Sequence, residues 1–175
     1  VIPADGLACC TAQYCIAFDP LDGFSNIDCN VSTGSIFAIY QCDATDEGGV
    51  KDILQPGSKL AAAGYCMYGS STQLMITWGK GVHCFTLEPT VGAFMLSQKD
   101  VRIPDQPKAI YSCNEGNSAH WDRATKEFVR ECKDKPKPYA ARFVGSMVSD
   151  VHRTILYGGI FLYPADAKVK PACVG

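Results

Sequence analysis

With 175 residues, 47% of them hydrophobic and 19% charged, the chain has the composition of a globular protein with a packed core, not of a disordered or fibrous one. Its formal net charge of -2 supplies no basic field to gather nucleic acid or anionic lipid. No apolar run reaches the roughly 18 residues of a membrane span, and no signal peptide is read at the start, so a soluble protein without nucleic-acid or membrane partners is expected.

Along the chain, Cys15 to Phe18 reads as a buried strand, which Pro20 stops by removing an amide donor before Gly23 turns the backbone sharply. Ser35 to Tyr40 reads as a second buried strand and Asp43 to Gly49 as a polar loop. Leu60 to Ala63 is either a helical turn or extended. Gly64 to Tyr68, Gln73 to Trp78, Val82 to Leu87 and Ala93 to Ser97 then read as strands, the middle pair forming a hairpin through Gly79-Lys80-Gly81. A substantial sheet is expected.

Asp100 to Lys108 carries Pro104, Pro107 and several charges with little core material, which places a domain boundary near Pro104, between residues 1–103 and 104–175. Beyond it, Ile110 to Ser112 is a strand. Trp121, Ala124, Phe128, Val129 and Cys132 give Ser118 to Cys132 the spacing of an amphipathic helix, which Lys133 to Pro138 ends as a solvated basic loop. Ala140 to Val144 reads as a strand, and Ser146 as the cap of a helix running to Tyr157, with Val148, Val151, Ile155 and Leu156 facing the core. His152 and Arg153 are expected to be structural on that helix. Gly158-Gly159 ends it before a strand from Ile160 to Tyr163. No repeat is present, so the class is α/β with mixed sheets.

The ten cysteines have no disulfide-framework spacing, and the adjacent Cys9 and Cys10 cannot form a C-x-x-C site. Cys15, Cys66, Cys84 and Cys113 lie in apolar segments as small hydrophobes, and reduced thiols imply a cytoplasmic location.

The segment Phe18-Asp19-Pro20-Leu21-Asp22-Gly23-Phe24-Ser25-Asn26-Ile27-Asp28 is the most chemically informative. Asp19 and Asp22 stand at the end of an apolar run, where paired carboxylates suit a hard divalent cation. Mg2+ takes one or two protein carboxylates and completes its octahedron with water and substrate phosphate. The amides of Gly23, Phe24 and Ser25, with the Ser25 hydroxyl, are suited to the phosphate. Taken alone, D-P-x-D-G is equally ordinary turn chemistry.

With its neighbours, this segment resembles the metal-binding motif of the class I fructose-1,6-bisphosphatases. The resemblance continues in order through Leu54-Gln55-Pro56-Gly57, Ala61 to Tyr65, Tyr111 to Gly116, Arg142 to Met147, Asp150 to Thr154 and Tyr157 to Pro164. It implies the layered α-β-α-β-α sugar phosphatase fold, with residues 1–103 the second half of the N-terminal domain and 104–175 the first part of the C-terminal one. The implied activity is Mg2+-dependent hydrolysis of the 1-phosphate of fructose 1,6-bisphosphate in gluconeogenesis, with Mn2+ or Zn2+ as alternative metals. Asp19, Asp22 and the Leu21 carbonyl would be metal ligands, with Gly23 and Ser25 on the departing phosphate. Asn114, Arg142, Gly145, Ser146, Met147 and Tyr163 would hold the sugar and its other phosphate, the arginine reaching from a neighbouring subunit of a homotetramer.

Several positions depart from the family pattern. Phe24 stands for a Ser, Phe143 for a Tyr whose hydroxyl would meet the 6-phosphate, and the aromatic usual at Asn117 or Ser118 is missing. Each loss is worth about 1 kcal/mol for a neutral hydrogen bond. The resemblance also implies a nucleotide site, of which Tyr14 is kept while Gln13 and Gln41 replace a Lys and an Arg, so a weak or absent AMP response is expected. Gln41 to Lys51 is short, unlike the cysteine-bearing insertion of plastid members. Further metal-binding glutamates of the family fall before Val1 and after Gly175, so the chain is expected to be a fragment, inactive by itself. The rival readings are a related phosphatase acting on an inositol phosphate or 3'-phosphonucleotide, and a sugar-phosphate binder without catalysis.

Overall fold

The computed structural model describes residues 13–42 and 50–165; the expectations for Cys9, Cys10 and the Asp43 to Gly49 loop lie outside them. Strand β1 (Tyr14–Asp22) pairs antiparallel with β2 (Thr33–Gln41), Cys15 opposite Tyr40 and Phe18 opposite Phe37. A short helix α1 (Val50–Ile53) precedes β3 (Leu60–Tyr68), β4 (Thr72–Thr77), β5 (Val82–Glu88) and β6 (Ala93–Val101). These strands form one sheet in the order β1-β2-β3-β4-β5-β6. Tyr65, Met75 and Cys84 stand side by side across β3, β4 and β5, and Met75 and Cys84 are fully buried. Helix α1 is tied to the sheet by Cys15 Sγ, which donates to Asp52 O at 3.4 Å, and by the Tyr40 hydroxyl, which donates to Gln55 O at 3.5 Å.

Two expectations for β1 need correction. Ile16 and Phe18 are 57% and 60% exposed, so this is not a buried strand; it is the sheet's edge and alternates two faces. Nor does Pro20 stop it. The strand continues to Asp22 through a shift in register between Asp19 and Asp22, and an edge strand tolerates a residue without an amide donor at such a bulge. Leu60 to Ala63 is extended as the start of β3, and β6 runs past Ser97 into the expected junction.

The second group of elements is β7 (Ile110–Ser112), α2 (Arg123–Asp134), β8 (Ala140–Ala141), α3 (Met147–Tyr157) and β9 (Ile160–Phe161). β7 lies between β8 and β9, parallel to both. Buried on both faces, β7 sends Tyr111 and Cys113 into a core with Trp121, Val129 and Cys132, while Ser112 bonds Asp150 of α3. The expected helix from Ser118 begins later. Glu115–His120 is a 3-10 turn, Trp121 is extended, and the Asp122 carboxylate caps α2 by accepting from Thr125 N at 2.7 Å. Lys133, expected in a solvated loop, is the last turn of α2 and pairs with Glu115. Ser146 occupies the N-cap of α3 but makes no capping bond with its side chain. Gly158 and Gly159, with φ of 73° and 89°, end α3.

The expected boundary near Pro104 is a single cut. By contacts the chain divides into Val1–Asp22 with Gly34–Asp100 and Gly23–Thr33 with Val101–Gly175, so the turn after Asp22 goes with the second unit. The class is α/β, with antiparallel pairs in one sheet and parallel pairs in the other. No helix among the described residues is long and apolar enough to cross a membrane.

Candidate active site

In a regular strand, side chains three positions apart point to opposite faces, so Asp19 and Asp22 should diverge. They do not, because Asp19 pairs with Ile36 and Asp22 with Gly34. Pro20 and Leu21 together oppose Ser35 alone, a two-against-one bulge that restores the parity and turns both carboxylates to one face. Three hydrogen bonds hold it. Asp19 Oδ1 accepts from Leu21 N at 3.1 Å, Ser35 Oγ donates to Pro20 O at 2.8 Å, and Ser35 Oγ meets the Tyr68 hydroxyl at 2.8 Å. No group of three or more His, Cys, Asp or Glu side chains fit to hold a metal occurs among the described residues. Two co-facial carboxylates with a carbonyl beside them are nonetheless hard oxygen donors of the number Mg2+ takes from a protein.

In the second unit, Gly23 adopts φ 78° and ψ 20° at the head of the 3-10 turn Phe24–Asn26. A side chain there would be strained, and its first carbon would lie 2.8 Å from Ser146 Oγ. The first bond of the turn runs from Asn26 N to Gly23 O at 2.9 Å, so the amides of Phe24 and Ser25 precede it and have no acceptor within the turn. Asn26 Nδ2 donates to Gly145 O at 2.9 Å. The expected phosphate segment is therefore held against Gly145 and Ser146.

Asn114, Arg142 and Tyr163 follow the carboxyl ends of three parallel strands, β7, β8 and β9, and so gather at one end of the sheet, where ligands of α/β folds bind. Arg142 N bonds Tyr111 O at 2.9 Å and Leu162 N bonds Ser112 O at 2.8 Å, which fixes that edge. The side chains of Asn114, Arg142, Met147 and Tyr163 are exposed there; Tyr163 reaches 85%. Arg142 Nη1 donates to Ala141 O, and Asn114 Oδ1 accepts from Gly116 N. Phe24 and Phe143 are exposed as well. Ser146 is different: the whole residue, backbone included, is buried, its hydroxyl has no hydrogen-bond partner among the described residues, and it presents no surface to a ligand here. Tyr14 is exposed on β1 opposite Gln41.

Asp150 was not among the expected site residues. It is fully buried, and its carboxylate accepts from Ser112 Oγ at 2.7 Å, Val144 N at 3.1 Å, Gly145 N at 3.2 Å and Arg153 Nη2 at 2.8 Å. The structural role expected for Arg153 follows from that pairing, and β8 ends early because the amides beyond it turn to Asp150. A charged residue within the buried stripe of Val148 and His152 was the available signal, since a buried carboxylate demands donors. At Glu115, burial pushes the carboxyl up, but Lys133 and the Tyr111 hydroxyl, which donates at 2.5 Å, hold it below its usual range. Burial, with Glu115 adding, pushes the Cys113 thiol up to about 11, the behaviour of an inert core cysteine.

Residues 6–99 match the family model of the fructose-1,6-bisphosphatase N-terminal domain, and residues 103–174 that of the C-terminal domain. The chain is 57% identical over 159 residues to the cytosolic fructose-1,6-bisphosphatase of Arabidopsis thaliana, covering 89% of itself and 46% of that protein. It is 55% identical to the Oryza sativa subsp. japonica counterpart, covering 89% and 47%. The fold superposes on Leishmania major fructose-1,6-bisphosphatase in apo form with a TM-score of 0.83 at 46% identity, over 90% of this chain and 52% of that one. For the holo form the TM-score is 0.84 at 46% identity, over 90% and 50%. The chain thus spans about half the length of the relatives it matches.

Proposed function

The chain belongs to the fructose-1,6-bisphosphatase family, and on that premise we propose that the whole protein hydrolyses the 1-phosphate of fructose 1,6-bisphosphate, releasing fructose 6-phosphate and phosphate. The observation that carries this reading is the bulge that turns Asp19 and Asp22 to one face immediately before the Gly23 turn. Asp19, Asp22 and the Leu21 carbonyl would hold a divalent metal, Mg2+ or in its place Mn2+ or Zn2+. When bound, that ion polarises the phosphate, stabilises the leaving alkoxide and lowers the pKa of the attacking water.

The protein's own groups bind and orient. Gly23 and Ser25 receive the departing phosphate through backbone amides and a hydroxyl. Asn114, Arg142, Gly145, Met147 and Tyr163 hold the sugar and its far phosphate, and anchoring that end orients the reacting one. The arginine fork suits phosphate because it donates in two places at once. Phe24 and Phe143 lack the hydroxyls usual in the family, and Asn117 and Ser118 the aromatic ring, so substrate is held less tightly than in members that have them.

In this reading residues 1–103 supply the metal-binding part of the N-terminal domain and residues 104–175 the sugar-phosphate part of the C-terminal domain. An arginine shared across subunits implies a homo-oligomer, a tetramer by family resemblance, in the cytoplasm. With Tyr14 the only kept nucleotide contact of the three, AMP inhibits weakly or not at all. Phosphate release by the whole protein from fructose 1,6-bisphosphate, an inositol monophosphate and a 3'-phosphonucleotide tests the reading. Preference for the sugar bisphosphate is expected; preference for either other substrate overturns it.

A further inference from the structure

The Gly145 peptide is gripped from both sides. Its amide donates to Asp150 Oδ2 at 3.2 Å, and its carbonyl accepts from Asn26 Nδ2 at 2.9 Å. Gly145 has φ 86°, a left-handed conformation open to glycine and strained for other residues. The same carboxylate takes Val144 N and is itself fixed by Ser112 Oγ on β7 and by Arg153 Nη2 on α3. Asp150 therefore holds the loop between β8 and α3 to two rigid elements, and Asn26 ties the Gly23–Asn26 turn to that loop.

We propose that Asp150 and Asn26 are positioning residues that, through the Gly145 peptide, register the phosphate turn against the loop carrying Arg142 and Met147. This deepens the phosphatase reading and rests on it. Neither side chain need touch the substrate. A buried carboxylate with four charge-assisted or polar donors has little freedom, so a shift of Gly145 is resisted on one side and transmitted to Asn26 on the other. The tight approach of Gly23 to Ser146 makes the arrangement sensitive to small displacements.

The test uses the whole protein carrying Asn26→Ala, Asn26→Asp and Asp150→Asn. Steady-state kinetics on fructose 1,6-bisphosphate and calorimetric binding of inorganic phosphate are measured beside thermal unfolding. Asn26→Ala is expected to lower kcat/KM by about 10²-fold and to weaken phosphate binding by about tenfold while the unfolding temperature stays put. Asn26→Asp keeps the shape but sets an acceptor against the Gly145 carbonyl, so it loses more than Asn26→Ala; a packing role predicts the opposite order. If Asp150→Asn folds, its loss and that of Asn26→Ala are non-additive in the double variant. Unchanged kinetics and phosphate binding in both Asn26 variants, or losses that merely follow unfolding temperature, overturn the proposal. Should the unaltered protein fail to hydrolyse the sugar bisphosphate, the phosphatase reading falls by itself, and the phosphate calorimetry of the Asn26 variants still decides the positioning claim.

Discussion

Asp19 and Asp22 face the same side of β1 because Pro20 and Leu21 together stand opposite the single residue Ser35. Three positions apart in a strand paired one residue to one, the two carboxylates would point to opposite faces of the sheet. The bulge, more than the presence of two acids, is what makes the segment a plausible hard-metal site.

Inserting an alanine after Ser35 gives Pro20 and Leu21 one partner each, so both carboxylates are kept but the pairing becomes regular and turns them to opposite faces. That insertion in the whole protein is expected to abolish metal-dependent phosphate release while far-ultraviolet circular dichroism is preserved. Retained turnover would show that the two acids do not work as a co-facial pair.

Ser35→Ala removes the hydroxyl that donates to Pro20 O and meets Tyr68. The expected cost is about 0.5–1.5 kcal/mol in urea unfolding, with the apparent affinity for Mg2+ lowered as the bulge loosens. Unaltered metal dependence would free the bulge from any reliance on Ser35.

Gly64→Ala sets a methyl group 2.5 Å from Met75 O and 2.7 Å from Phe37 Cζ. Backbone cannot give way as a side-chain end can, so destabilisation of about 1–3 kcal/mol is expected. Gly57→Ala, with nothing within 4 Å of the new carbon, is the control and should change stability by less than about 0.5 kcal/mol. Equal effects in the two variants would refute the close approach of Phe37 and Gly64.

Burial lowers the His152 imidazole below its ordinary value of 6.5. The folded state therefore binds this proton less readily than the unfolded state, so unfolding takes it up. Stability is full above 6.5 and falls as pH drops through that value toward the folded pKa. Thermal unfolding at about pH 7.5 and about pH 5.5 should show a smaller acid-induced drop in His152→Gln than in the unaltered protein. An identical drop would mean that His152 charges as easily inside as outside.

Much of this architecture was legible in the residues. The alternating strands from Gly64 to Leu87 and the Gly158-Gly159 helix stop rest on local periodicity and turn chemistry, and these survive in the fold, whereas of the apolar positions expected to face the core from α3 only Val148 is buried, with Val151, Ile155 and Leu156 half-buried. Readings that depended on distant partners did not transfer. Pro20 looked like a stop because nothing local says that β1 is an edge strand with room for a bulge. Ser118 looked like a helix start until Trp121 was drawn into the core and left Asp122 as the cap. At the candidate site, Asp19, Asp22 and Gly23 were visible as a motif. Asp150 was hidden, because its meaning comes from Ser112, Val144 and Gly145, which lie on other elements.

The most direct measurement is Mg2+-dependent phosphate release from fructose 1,6-bisphosphate by the whole protein and by its Asp19→Asn and Asp22→Asn variants, with thermal unfolding followed in parallel. Loss of turnover by about three orders of magnitude in each variant, with unfolding unchanged, is the predicted result. Normal metal-dependent turnover in either variant would contradict the assignment of the paired carboxylates.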